Sequence, residues 1–415
     1  MGREVIDFMK RIWKNLALFF AVLGPGIITA NVDNDAGGIA TYSIAGAHFG
    51  YAFLWSVVPI IVLLVVIQEM SARMGAVTGK GLADLIREHF GVKITFYVML
   101  ALLVTNIANT MAEFAGVAAA LQLFHVPAFI SVPLSALFVW LLVVKGNYHS
   151  VEKVFLIACL FYGTYIISGF MAAPDWQEVG QAALQPHLQF NFSYLYMLIG
   201  VVGTTIAPWM QFYMQASVVE KGIDVQTYRL CRWDIWVGCI MAGLVVFFIM
   251  VVCGAVLYPA GIRVETASDA ALALEPLAGK YCSWLFAFGL FNASLFAASV
   301  LPLTTAYYVC EGLGFEAGIN KTFREAPHFY GLFTAILVIG ALVVLIPNFP
   351  LFFIMVFSQV LNGILLPFIL IFMLILINRK EIMGEFTNSR LGNFICWFTV
   401  IALIVLTVVM LFMLF

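Results

Sequence analysis

The chain has 415 residues, 63% of them hydrophobic and only 10% charged, with a mean hydropathy of +1.04. Soluble domains carry roughly 25% charged residues, so this composition excludes a soluble globular protein and reads as a polytopic membrane protein. The formal net charge of −2 excludes nucleic acid as a partner.

A spanning helix needs about 20 mostly apolar residues. Cutting at polar and Pro/Gly-rich breaks gives eleven segments, near 14–46, 51–78, 94–123, 127–144, 151–172, 192–219, 230–258, 281–312, 329–347, 350–378 and 390–414. The basic start, MGREVIDFMKRIWKN, runs into an apolar segment too long for a signal peptide, and no small-residue cleavage site follows it. A retained first span is expected. With the N-terminus inside, all of the 20 Lys and Arg except Arg263 and Lys280 fall on the cytoplasmic side. A missed or extra span would invert this alternation. The positive-inside rule therefore predicts eleven spans, a cytoplasmic N-terminus and an extracellular C-terminus, in the cell (plasma) membrane.

No separate soluble domain is expected. The longest polar interruptions, about 173–190 and 259–279, are both external, and the second has a helical period suited to the membrane interface. GKGLADLIREHFG (79–91) suggests a short cytoplasmic amphipathic helix. Seven Cys (159, 231, 239, 253, 282, 310, 396) show no CxxC pair and no metal-type spacing. They read as small apolar core residues.

Ionisable groups deep in a span are costly and point to function. Asp33 and Asp35, in VDNDAGGIATYSIAG of span 1, and Glu113, in TNIANTMAEFAGV of span 3, are such groups. No Lys or Arg lies deep enough to neutralise them, so they must be protonated or meet a cation. Glu69, Asp234 and Glu311 sit near span ends and read as solvated termini.

GPG (24–26) and AGG (36–38) interrupt span 1 around its acids, freeing carbonyls that can coordinate a cation. A second break is expected in span 6, GVVGTTIAPWMQFYMQ (200–215), where Pro208 removes an amide and disfavours helix at Ala207. Two broken spans, first and sixth, fit a LeuT-type 5+5 inverted repeat with its site at the midplane. The expectation is an all-α, single transmembrane transporter domain: 14–172 as first repeat, 192–378 as inverted second repeat and 390–414 as an additional helix 11. Bland readings stand beside these. Gly and Pro are common in transmembrane helices, Glu113 could hydrogen-bond a neighbouring helix, and Gln359 in VFSQVLNGILLPF could tie helices together.

GPG (24–26), DAGGIATYSIAGAHFGY (35–51), IQEMSARMGAVTGKGLADLIRE (67–88), AEFAG (112–116), TTIAPWMQFY (204–213) and SQV (358–360) resemble the Nramp family of divalent-metal transporters. The resemblance touches spans 1 to 10 and implies the LeuT-type fold and import of Mn2+ and Fe2+ with protons. It also implies a metal site of Asp35, the Thr204 carbonyl and Gln359.

The departures carry the prediction. The family's Asp-Pro-Gly-Asn is here Asp35-Ala36-Gly37-Gly38, so Gly38 replaces a ligand. The family's Met-Pro-His is Ala207-Pro208-Trp209, so the thioether is gone, and a second family His falls at Met214. The Asp-x-x-Glu of span 3 becomes Thr110-Met-Ala-Glu113, and span 9 carries no Arg. Losing a thioether removes a preference for soft transition metals. Gly38 and Ala207 widen the site, which suits an Mg2+ that keeps part of its water. Missing relay groups argue against obligatory proton coupling.

The chain thus most resembles the Nramp-related magnesium transporter branch, with Mg2+ and also Mn2+ as cargo. Asp33, Glu113 and Trp209 are expected in gating or electrostatic roles. No cofactor and no obligate protein partner is expected beyond the ion and the lipid bilayer. Alternatives are a proton-coupled Mn2+/Fe2+ carrier, an aluminium-transporting relative, a sodium-coupled organic-solute symporter and a channel. An enzyme is disfavoured: all six His fall at span ends or in loops, and no HExxH, GxSxG or phosphate-binding loop occurs.

Overall fold

In hydrocarbon, every backbone N–H and C=O must find its partner within the protein. The long apolar runs of this chain meet that demand as helices. The computed structural model describes residues 25–32, 34–145, 163–275, 279–319 and 321–413. Among them there is no strand, and nine helical segments, Phe192–Glu220 with its break counted as one, are long and apolar enough to cross a membrane.

In chain order the helices are α1 (Pro25–Val32), α2 (Ala36–Phe49), α3 (Leu54–Thr78), α4 (Leu82–Phe90), α5 (Val92–Gln122), α6 (Ala128–Lys145), α7 (Gly163–Met171), α8 (Trp176–Leu184) and α9 (Phe192–Thr205). They continue with α10 (Pro208–Glu220), α11 (Tyr228–Val256), α12 (Ala267–Ala271), α13 (Cys282–Leu313), α14 (Pro327–Val344), α15 (Leu351–Ile377), α16 (Lys380–Met383) and α17 (Arg390–Phe412). Span 1 is the broken pair α1/α2 and span 6 the broken pair α9/α10. The start of the expected first span and most of the fifth fall outside the described residues, so eleven is neither reached nor excluded by the helices seen.

Packing relies on glycines where helix backbones meet. A Cβ on Gly203 of α9 would stand 2.1 Å from the Gln359 carbonyl oxygen, and one on Gly363 of α15 would stand 2.4 Å from the Ile199 oxygen. On Gly238 of α11 it would be 2.7 Å from the Gly26 oxygen, and on Gly116 of α5 it would be 2.4 Å from the Ala36 Cβ. Small residues at such crossings let transmembrane helices approach and gain dispersion contacts. They bring α9 against α15, α1 against α11 and the start of α2 against α5. The six cysteines among the described residues are all buried, and none of them is in a disulfide.

Two expectations need correction. Asp234 is not a solvated terminus: it is fully buried and accepts from the Gly26 amide at 2.6 Å and the Ile27 amide at 3.4 Å. The first amides of a helix have no partner within it, and Asp234 of α11 supplies one to α1 from across a helix interface. Glu69 is half-buried, paired with Arg73 at 3.2 Å and hydrogen-bonded by the Tyr228 hydroxyl. In the 259–279 interruption the expected helical period is met by α12, which a Thr266–Asp269 capping box opens and a 3-10 turn over Leu272–Leu274 continues. Its Ala267, Ala270 and Ala271 are buried against the protein. The short helix expected at 79–91 is present as α4, with Leu82, Ala83, Leu85 and Ile86 buried.

Candidate metal site at the broken helices

The break in span 1 is made where α1 ends at Val32 and α2 restarts at Ala36. Asp35 is the N-cap of α2, with φ −71° and ψ −175°, and its Oδ1 accepts from the Gly38 amide at 2.6 Å. The Ala36 amide of the same helix start donates to Glu113 Oε2 at 3.2 Å. Two carboxylates therefore share the amides at one helix N-terminus, where the helix dipole favours negative charge. Asp35 is 4% exposed and Glu113 fully buried, and the two side chains are within hydrogen-bonding reach. Among the described residues, neither forms an ion pair with a Lys or Arg. Two buried carboxylates this close need a shared proton or a cation between them.

The break in span 6 is made differently. α9 ends at Thr205, Ile206 leaves helical geometry at φ −132° and ψ 68°, and Ala207 is extended at φ −70° and ψ 142°. Pro208 then opens α10. In a continuous helix the Thr204 carbonyl would accept from the residue four ahead. That residue is Pro208, which has no N–H to give. The Thr204 carbonyl is thus released for another partner. The Thr204 hydroxyl is buried and without a partner among the described residues. The breaks are linked by Tyr42, whose hydroxyl meets Thr205 Oγ1 at 2.8 Å. Below them, Thr29 donates to the Met214 sulfur at 3.7 Å.

Gln359 of α15 reaches the span 1 break. A Cβ on Gly37 would stand 1.9 Å from Gln359 Nε2, so Gly37 is the point at which span 10 can touch the break at all. Ala207 is 2% exposed, and so is Trp209, whose ring lies 6.4 Å from that of Tyr213. The structure thus gathers Asp35, Glu113, Gln359 and the start of α2 into direct contact. Asp33 lies outside the described residues.

Other residues join the site. Asn34, between the two halves of span 1, is fully buried, with neither its oxygen nor its nitrogen partnered among the described residues. Glu113 Oε1 is likewise buried without a partner among them. Asn106 and Asn109 on α5 and Asn362 on α15 extend the polar contacts of Gln359. Sequence reading passed over all four asparagines. Their signal was present: Asn106 with Asn109, and Gln359 with Asn362, are spaced three apart and so share one helix face. Thr110, where the family places an acid, bonds its own helix at the Asn106 carbonyl at 2.7 Å. A Cβ on Gly340 of α14 would stand 2.6 Å from Thr110 Cγ2. The span 9 face that meets this position offers a glycine.

Fold and site together define a polytopic membrane protein with a LeuT-type, all-α architecture and a polar centre between two broken helices. A model of the Nramp family, described as natural resistance-associated macrophage protein-like, matches residues 26–413, and the chain belongs to that family. It is 28% identical over 398 residues to the divalent metal cation transporter MntH of Deinococcus radiodurans, covering 92% of this chain and 87% of that protein. Its fold matches a manganese transporter of Eremococcus coleocola, crystallised with an aromatic bis-isothiourea compound. That match has a TM-score of 0.80 and 22% identity, over 95% of this chain and 86% of that one. The fold is shared more loosely with MhsT bound to L-phenylalanine, at a TM-score of 0.58 and 16% identity, over 95% of this chain and 98% of that one.

Proposed function

We propose that this chain is a secondary transporter that imports divalent metal ions by alternating access, with partly hydrated Mg2+ as principal cargo and Mn2+ also carried, without obligatory proton coupling. The observation that carries the reading is the carboxylate pair at the start of α2. Asp35 and Glu113 bring two formal charges to one buried point with no ion pair to a Lys or Arg among the described residues, and a divalent cation balances them. Asp35 is the main ligand, with the Thr204 carbonyl and Gln359 as further oxygen ligands, while Gly38 and Ala207 give room. Asp33, Glu113 and Trp209 act on attraction and gating.

The donor set favours a hard ion. Among the described residues no three His, Cys, Asp or Glu converge. Mg2+ is held by one or two carboxylates plus its own water, whereas soft ions favour thioether or thiolate. Buried polar atoms without protein partners at Asn34, Glu113 and Thr204 are suited to receive water carried with the ion. The amides below Glu113 and the glycine facing Thr110 do not titrate, which supports uptake driven by the gradient and the membrane potential. That potential supplies about 2.3 kcal/mol per charge per 100 mV, hence roughly 4.6 kcal/mol for a divalent ion. In this reading, which rests on the distribution of Lys and Arg, the N-terminus is cytoplasmic and the C-terminus outside, with 14–172 and 192–378 as the inverted repeats.

One observation favours a second reading, a proton-coupled Mn2+/Fe2+ carrier: Glu113 remains an acid within reach of Asp35 and could pass a proton. Proteoliposome uptake with an internal pH dye separates the two. Uptake of Mg2+ and Mn2+ without acidification is expected; acidification in step with Mn2+ uptake would overturn the uncoupled mechanism. Ala207→Met supplies the missing thioether and should shift preference toward Mn2+ and Cd2+. An unchanged selectivity would count against the account of the site given by Ala207.

A further inference from the structure

Gln359 is the end of a buried chain of side-chain hydrogen bonds whose direction is fixed at both ends. At the far end, Thr305 of α13 gives its one hydroxyl proton to the Leu301 carbonyl at 2.9 Å, so its oxygen can only accept from Asn106 Nδ2, at 2.9 Å. Asn106 Oδ1 then accepts from Asn109 Nδ2 at 3.2 Å. Asn109 and Asn362 face each other as a reciprocal amide pair, at 3.0 and 3.1 Å. Asn362 Nδ2 donates onward to Gln359 Oε1 at 3.0 Å.

At the near end, Ser358 gives its proton to the Met355 carbonyl at 2.9 Å, so its oxygen accepts from Gln359 Nε2 at 3.3 Å. Turning the Gln359 amide over would set its nitrogen against the Asn362 nitrogen and its oxygen against the Ser358 lone pairs. Buried donors facing donors are strongly disfavoured. Gln359, Asn362, Asn109, Asn106 and Thr305 are all buried, so water does not relieve such a clash.

The consequence is that Gln359 turns its nitrogen, not its oxygen, toward the span 1 break at Gly37. A cation needs the oxygen, and that atom is taken by Asn362. We infer that Asn362, itself held by Asn109, is a positioning residue that keeps the Gln359 oxygen away from the break, so that ion coordination by Gln359 and the Asn362 bond exclude each other. This rests on the reading of Gln359 as an ion ligand. The amide chain then sets affinity from outside the site: an ion at Asp35 draws the Gln359 oxygen round only by breaking the Asn362 bond.

Initial-rate Mg2+ uptake in proteoliposomes, resolved into KM and Vmax, tests this with Asn362→Leu, Gln359→Ala and the double variant. Asn362→Leu keeps size but removes the competing donor. It should lower KM, by roughly two- to tenfold for one hydrogen bond, and do nothing to KM in the Gln359→Ala background. A merely structural defect would raise KM or reduce Vmax in both backgrounds, and either result overturns the inference. Asn362→Ser, too short to reach Gln359, should repeat the lowered KM should the leucine variant not assemble. If Gln359→Ala leaves the wild-type KM unchanged, the ligand role itself fails. If Gln359→Ala raises KM but Asn362→Leu acts equally with and without Gln359, the ligand role stands and the positioning role falls.

Discussion

The two broken helices solve one problem in opposite ways. In span 1 the break is charged: Asp35 caps α2 through the Gly38 amide, and Glu113 takes the Ala36 amide beside it. In span 6 the break is neutral: Pro208 opens α10 behind an extended Ala207, with no acid or base in the Ile206–Trp209 turn. A carboxylate cap satisfies amides at a helix start, whereas a proline releases a carbonyl at a helix end. One half of the site thus brings charge and the other brings dipoles. A site so divided suits a cation that needs charge balance from one side and asks little covalency from the other. It is unlike a cage in which soft ligands converge from both.

The largest effect that could break this comparison is removal of the charge. Asp35→Ala should lower initial-rate Mg2+ and Mn2+ uptake by about 100-fold or more, each factor of ten being about 1.4 kcal/mol. Full transport by this variant would place the ion elsewhere. Gly37→Ala comes next. Its methyl would stand 1.9 Å from Gln359 Nε2, so span 10 must retreat from the break. Such overpacking costs about 1–3 kcal/mol, and uptake should fall while Gly37→Ala in a Gln359→Ala background falls less. Equal losses in both backgrounds would show that Gln359 is not what Gly37 makes room for.

The neutral break has a smaller lever. Pro208→Ala returns an N–H to position 208, and the Thr204 carbonyl can then close an ordinary helical bond across the break. KM for Mg2+ should rise by roughly two- to tenfold, the worth of one such bond. An unchanged KM in a folded variant would remove Thr204 from the ligand set.

What could be read from the sequence follows the size of the physical cost involved. Nine spans were legible because some twenty apolar residues in a row leave a helix few alternatives, and 281–312 is met by Cys282–Leu313. Pro208 was legible because the missing N–H acts on its own helix. That Asp35 and Glu113 are buried groups needing a partner was legible because a charge in hydrocarbon is expensive wherever its partners are. Asp234 was misread because its partners, Gly26 and Ile27, are more than 200 residues away in the chain, and nearness to a span end says nothing of which helix start arrives there. The asparagines escaped because a neutral amide costs much less than a charge. Asn106 and Asn109 pass as packing until Asn362 is seen opposite them.

Asn34 gives the finest test of the charged break. Its side chain is fully buried, and neither amide atom has a partner among the described residues. A buried polar group left unpaired costs about 1–3 kcal/mol, so Asn→Leu of similar size at such a position should leave the fold as stable or make it more so. Thermal unfolding of detergent-solubilised Asn34→Leu should therefore show a Tm no lower than that of the parent. Transport should move the other way. If the ion arrives with part of its water, Asn34, next to Asp35 in the chain and buried without a partner among the described residues, is a neutral amide able to hold that water. Mg2+ gives up water reluctantly, so its uptake should fall by about threefold, the worth of a modest hydrogen bond, while Mn2+ uptake changes less. Parallel loss of both ions with a lowered Tm would make Asn34 a structural residue of the break; a Mg2+-selective loss at unchanged Tm would show that the charged break binds the ion together with its water.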